Sequence, residues 1–287
     1  MKFVSVKIGG CRSVGLICDE QRQVRLLDSR DMLELIGAYE QIGEQLRPNG
    51  PSLDLRSVQL EAPIPFPRRD LLCVGKNYRE HAREFARSGF DSTAASATDI
   101  IPEAPIIFTK AAGAVIGSGQ PIRYPHGVSE TLDYEAELAV VIGKPGRDIS
   151  REHAYEHVFG YTIVNDVTAR DLQSRHKQWF IGKSLDTFCP MGPWLVTAEE
   201  VDPVNLELRC WVNGELRQSA NTRDLIFDIP TLIETISAGS TLRSGDIIAT
   251  GTPMGVGIGF DPPRYLRPGD EVAIEISGLG RLVNTVA

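Results

Sequence analysis

The 287 residues carry a formal net charge of -8 at pH 7, with 42% hydrophobic and 24% charged side chains. Those proportions suit a soluble globular protein with enough chain to bury a substantial core, and the acidic excess argues against nucleic acid as the main partner. Five scattered cysteines with no Cys-x-x-Cys pair read as reduced core or near-core thiols, not as a disulfide framework or a zinc site.

The chain opens on alternating residues, Met1 to Ile8, that lack the continuous apolar core of a signal peptide. Short strands are expected at Val4 to Ile8, Val14 to Cys18 and Val24 to Leu27, then a helix from Asp31 to Leu46 whose apolar positions keep helical spacing. Arg47-Pro48-Asn49-Gly50-Pro51 ends it. The proline-rich run from Ala62 to Pro67 separates this small α/β unit, residues 1–62, from a larger unit, residues 68–287. No apolar run is long enough to span a membrane, and the scattered, reduced cysteines lead to the expectation of a cytoplasmic protein.

In the larger unit, Gly75-Lys76-Asn77-Tyr78 leads into a helix ending near Ser88. On that helix His81 and Glu84, three residues apart, share a face. A carboxylate beside a histidine orients it and stabilises its protonated form, as a water-activating base requires; an ordinary surface pair is the alternative. From Arg87 to Ile101 the chain is small and polar in its middle, read either as an inert surface loop or as a lid.

Residues 134–142 read as a strand, on which Glu135 and Glu137 project to one side and Leu138, Val140 and Ile142 to the other. At the usual rise the two acids have Cα atoms about 6.5 to 7 Å apart. Two ionised groups so close, away from water, repel unless a cation intervenes. A third acid, Asp166, follows the apolar run Gly160 to Val164. Three carboxylates form an all-oxygen set for Mg²⁺ or Mn²⁺, although alternating Glu on a strand is also the pattern of a solvated face. After Asp166 a helical turn places Arg170 and Gln173 on one side, as a carboxylate-bearing substrate would need. Lys183, in an apolar context, is suited either to an anionic substrate or oxyanion or to a snorkelling core edge.

Further helices are expected at Arg151 to His157 and Pro230 to Ser237. Leu206, Leu208, Cys210 and Val212 alternate up to Asn213-Gly214, a hairpin signal. Gly245-Asp246 and Gly269-Asp270 each feed an apolar strand suited to a rolled sheet. The glycine-rich loop Ala249 to Gly257 is neither a Walker loop nor a dinucleotide fingerprint, but its N–H groups and the Thr252 hydroxyl would let an anion approach.

Taken in this order and spacing, Gly75-Lys76-Asn77-Tyr78 with His81 and Glu84, Asp133 to Leu138, Asn165 to Asp171, Gln178 to Lys183, Val212 to Glu215 and Thr250 to Gly257 resemble the fumarylacetoacetate hydrolase family. Residues 1–62 resemble the variable extension carried by many bacterial members. The resemblance implies a strand-rich α+β fold, a mixed β-sandwich roll, in a homodimer. It also implies Mg²⁺ or Mn²⁺ held by Glu135, Glu137 and Asp166. His81 with Glu84 would activate water to break a carbon-carbon bond of an acylpyruvate or 2,4-diketo acid, while Arg170, Gln173, Lys183 and Thr252 position that small keto acid. Hydrolysis is thus the first expectation. Decarboxylation of an oxaloacetate-type substrate or isomerisation of a 2-hydroxydienoate on the same site is the alternative, and a non-enzymatic keto acid binding protein the remote one.

Overall fold

The strand Ala136–Ile142 is buried on both faces. Leu138, Val140 and Ile142 enter one apolar cluster while Ala139 and Val141 enter a second, as the two-residue alternation of a strand requires. A strand that is apolar on both sides must sit between two layers. The computed structural model describes residues 1–18, 23–29, 31–42, 50–89 and 100–287.

Around that strand runs the large sheet, in the order Ser52–Asp54, Gln23–Leu26, Cys11–Cys18, Lys2–Ile8, Cys189–Thr197, Val158–Asn165, Ala136–Ile142, Ile247–Ala249, Leu71–Gly75 and Ile106–Lys110. Neighbours along it pair antiparallel except Ile247–Ala249 with Leu71–Gly75, which are parallel. Lys2–Ile8 pairs with Cys189–Thr197 through Lys2↔Val196 and Phe3↔Leu195, so the N-terminal strands extend the sheet that carries Glu137.

A second, four-stranded antiparallel sheet runs Glu215–Asn221, Glu207–Val212, Glu271–Ile276, Gly280–Thr285. Leu208, Cys210, Val212 and Ile274 pack from it into the same cluster as Leu138 and Val140. The result is a strand-rich α+β fold with mixed sheets. Its hairpin turns at Asn213 and Gly214, both with positive φ (51° and 79°), the backbone that a two-residue turn of this twist demands. The two Gly-Asp turns share one device: Asp246 accepts from the Arg243 amide and Asp270 from the Arg267 amide, each at 2.7 Å. The strands they feed lie in different sheets.

Several local expectations change. Arg151–His157 is a 3-10 helix and not an α-helix. The first helix covers Met32–Ile42, and the rest of its expected length, residues 43–49, lies outside the described residues. Most of the expected lid, residues 90–99, also lies outside them. Cys11 is exposed and not near-core. Among the described residues no helix is long and apolar enough to cross a membrane.

Candidate active site

Two antiparallel strands bring the acids together. Ala136 pairs with Asn165 and Glu137 with Val164, so Glu135 and Asp166 lie just beyond the paired ends of their strands. Two bonds fix that junction: the Glu135 amide donates to Asn165 Oδ1 (3.0 Å) and the Asp166 amide to the Glu135 carbonyl (2.8 Å). One oxygen from each of Glu135, Glu137 and Asp166 lies within 4.8 Å of the others. All three are buried, at 4%, 1% and 0% exposure, which removes the solvated-face reading.

Buried cations surround this cluster. Lys183 Nζ donates to Glu135 Oε2 (2.8 Å), Asp166 Oδ2 (2.7 Å) and Thr168 Oγ1 (3.0 Å). Arg170 Nη1 stands 2.6 Å from Glu135 Oε1, and its Nε donates to Asp133 Oδ2 at 2.8 Å. Burial alone would raise the Glu135 pKa, but Lys183 and Arg170 outweigh it and hold it at about 2. Burial alone would lower that of Lys183, but Asp166 and Glu135 carry it to about 12. Among the described residues Glu137 has no such neighbour in contact. Burial, then Asp166 and Glu135, push it well above the ordinary carboxylate range, although the Gly251 amide donates to its Oε2 at 2.9 Å. An oxygen cluster whose third member resists ionisation until more positive charge arrives is suited to a hard divalent cation.

Above it sits the dyad. His81 Nδ1 lies 3.1 Å from Glu84 Oε2, and the Gly255 amide donates to the other Glu84 oxygen at 2.9 Å. A carboxylate gripped in this way takes Nδ1–H as donor and leaves Nε2 as the nitrogen able to accept a proton. His81 is 5% exposed, so the pair is no surface ornament.

His81, Glu135, Glu137, Arg170, Gln173, Lys183 and Thr252 line one cavity, walled by Phe85, Phe108 and Trp179. Arg170 Nη1 donates to Gln173 Oε1 at 3.2 Å. Nη2 of Arg170 is buried without a hydrogen-bond partner among the described residues, an orphan donor that an anionic ligand would satisfy. Thr252 Oγ1 accepts from Gln218 Nε2 (2.8 Å), which leaves its own hydrogen to donate. The glycine-rich loop differs from expectation. Its amides at Gly251, Gly255 and Gly257 donate to Glu137, Glu84 and Asp133, so the anions it cradles are the chain's own carboxylates.

Sequence reasoning missed Lys110 and the role of Asp133. Lys110, fully buried, holds its Nζ 2.7 Å from Asp166 Oδ1 and donates to the carbonyls of Val167 (2.9 Å) and Lys183. Its signal was a lysine closing the apolar run Ile106-Ile107-Phe108. Asp133 accepts from the amides of Gly257 (2.6 Å) and Ile258 (3.0 Å) as well as from Arg170, tying the loop to the cluster.

Known proteins resemble this chain in sequence and fold. The family described as fumarylacetoacetate (FAA) hydrolase C-terminal matches residues 70–287. Oxaloacetate tautomerase YisK of Bacillus subtilis is 46% identical over the whole of both chains. Among solved structures, fumarylacetoacetate hydrolase from the psychrophile Exiguobacterium antarcticum superposes with a TM-score of 0.84 at 40% identity, covering 100% of this chain and 99% of that one. Maleylpyruvate hydrolase from Sphingobium sp. SYK-6, solved with manganese(II) and pyruvate, gives 0.80 at 32% identity over the same shares.

Proposed function

The chain belongs to the fumarylacetoacetate hydrolase family, and from that premise we propose that it is a divalent-metal-dependent keto-enol tautomerase of a small 2-keto dicarboxylic acid of the oxaloacetate type. The observation that carries this reading is the His81–Glu84 pair, hydrogen-bonded at 3.1 Å, whose histidine lines the same cavity as Glu135 and Glu137. One base, one cation site and one orphan guanidinium nitrogen suffice to move a proton between carbon and oxygen. The full-length likeness to an enzyme named oxaloacetate tautomerase supports placing tautomerisation ahead of hydrolysis, reversing the order expected from sequence.

Glu135, Glu137 and Asp166 would hold the ion, Mg²⁺ or Mn²⁺, and the manganese in the maleylpyruvate hydrolase relative supports that choice. When bound, the ion supplies Lewis acidity to the substrate oxygens. Arg170 receives the carboxylate next to the keto group through its free Nη2, with Gln173 fixing the guanidinium plane. His81 Nε2 takes the proton from the carbon beside the carbonyl while Glu84 stabilises the imidazolium. The Thr252 hydroxyl faces the oxygen on which charge develops, with the Lys183 ammonium, held by Glu135, Asp166 and Thr168, adding positive charge at the cavity wall, and His81 returns the proton there to give the enol. Phe85, Phe108 and Trp179 exclude water from the proton's path.

Hydrolytic carbon-carbon cleavage of an acylpyruvate is the second reading, favoured by the same dyad, since a histidine held by a carboxylate can also take a proton from water. The two separate on products: the Mg²⁺-loaded protein should speed the loss of oxaloacetate enol absorbance without forming pyruvate, and should leave an acylpyruvate intact. Cleavage of the acylpyruvate with oxaloacetate untouched would establish the hydrolase. A cytoplasmic homodimer belongs to the same proposal, and light scattering tests its stoichiometry.

A further inference from the structure

One buried cation of the cavity has no part in the chemistry above. Lys76 is 4% exposed and lines the cavity beside His81 and Arg170. Its Nζ lies 5.9 Å from the Phe85 ring centroid, and Arg170 Cζ lies 5.9 Å from the same ring. The two charges are therefore separated by no more than about 12 Å.

The backbone places Lys76 deliberately. Its φ of +55° is left-handed, a conformation that a residue with a side chain adopts at a cost and that concentrates at ligand-binding positions. Both neighbours are pinned. Before it, a Cβ on Gly75 would overlap the Trp179 ring. After it, the Asn77 amide donates to the carbonyls of Phe227 (2.9 Å) and Thr250 (2.8 Å) and accepts from the Phe227 amide (2.8 Å). The Trp179 indole N–H, on the ring that presses on Gly75, is buried without a hydrogen-bond partner among the described residues.

We propose that Lys76 is the specificity residue for dicarboxylates: its ammonium, with the Trp179 indole N–H, takes the carboxylate remote from the keto group while Arg170 takes the one beside it. The inference rests on the tautomerase reading for its substrate and names the residue that selects it. A four-carbon diacid bridges such a span with one charge-assisted contact of about 2.8 Å at each end.

The test uses unreactive probes differing by the remote carboxylate. L-malate, L-lactate and oxalate are titrated into the Mg²⁺-loaded protein by calorimetry. The wild type should bind malate at least ten times more tightly than lactate. Lys76→Met should abolish that preference, a loss of about ten- to a hundredfold in malate affinity, with lactate and oxalate unchanged. Lys76→Arg should keep most of it, and Trp179→Phe should reduce it by a smaller factor. Unchanged oxalate binding reports an intact metal end, and if Lys76→Met loses it, Lys76→Gln reads the same ratio. A preference for malate that survives removal of the Lys76 charge overturns the proposal. Failure of the wild type to act on oxaloacetate would sink the tautomerase reading alone, because the binding ratio is measured without turnover.

Discussion

Gly259 lies so close to Glu84 that a Cβ on it would overlap the carboxylate. The glycine belongs to the short 3-10 helix Gly257–Gly259, and Glu84 is held by His81 and the Gly255 amide. Gly259→Ala should therefore push Glu84 out of register and weaken its hold on His81. Turnover is expected to fall about ten- to a hundredfold, part of the general-base contribution, while Mg²⁺ affinity by calorimetry stays at the wild-type value. A variant with unaltered kcat would show that the dyad tolerates displacement.

Replacing the base itself should cost more. His81→Ala is expected to lower kcat by about 10² to 10⁴ while metal and oxalate binding remain largely intact, the usual span for loss of a general base. Glu84→Gln keeps the shape and one acceptor but removes the charge that stabilises imidazolium, so its loss should be smaller. Steady-state kinetics on both variants with equal metal loading checks the order.

The third acid decides metal uptake. Glu137 projects from the second position of the buried strand, and its surroundings raise its pKa well above the ordinary carboxylate range. Glu137→Ala should abolish Mg²⁺ binding and activity together. Undiminished Mg²⁺ affinity in that variant would remove the ion from these three carboxylates.

Lys110 links the site to the core. Lys110→Met removes one partner of a fully buried ion pair with Asp166, and should destabilise the metal-free protein by about 3 to 5 kcal/mol. Mg²⁺ should return part of that stability, because a bound cation restores positive charge beside Asp166 and binds only the folded state. Urea unfolding with and without Mg²⁺ measures both effects.

Much of this was legible in the chain because it is local. Strand alternation puts Glu135 and Glu137 on one side, and helical spacing puts His81 beside Glu84. Asn213-Gly214 announced its hairpin because only a few residues accept that backbone. What stayed hidden depends on tertiary pairing. Sequence periodicity does not reveal that Lys2 would lie opposite Val196, that Lys110 would meet Asp166, or that the amides of Gly251 and Gly255 would serve carboxylates from distant segments. The ranking of tautomerase against hydrolase was hidden for another reason: both stabilise the same enolate with the same residues, so the acids and the dyad are common to the two.

The most direct test follows the proton itself. Deuterium incorporation at C3 of oxaloacetate in D₂O, read by NMR, should be strongly accelerated by the Mg²⁺-loaded wild type with no pyruvate beyond the buffer background, and should return to the buffer rate in His81→Ala and Glu137→Ala. Exchange at the buffer rate in the loaded wild type, alongside cleavage of an acylpyruvate, would contradict the account.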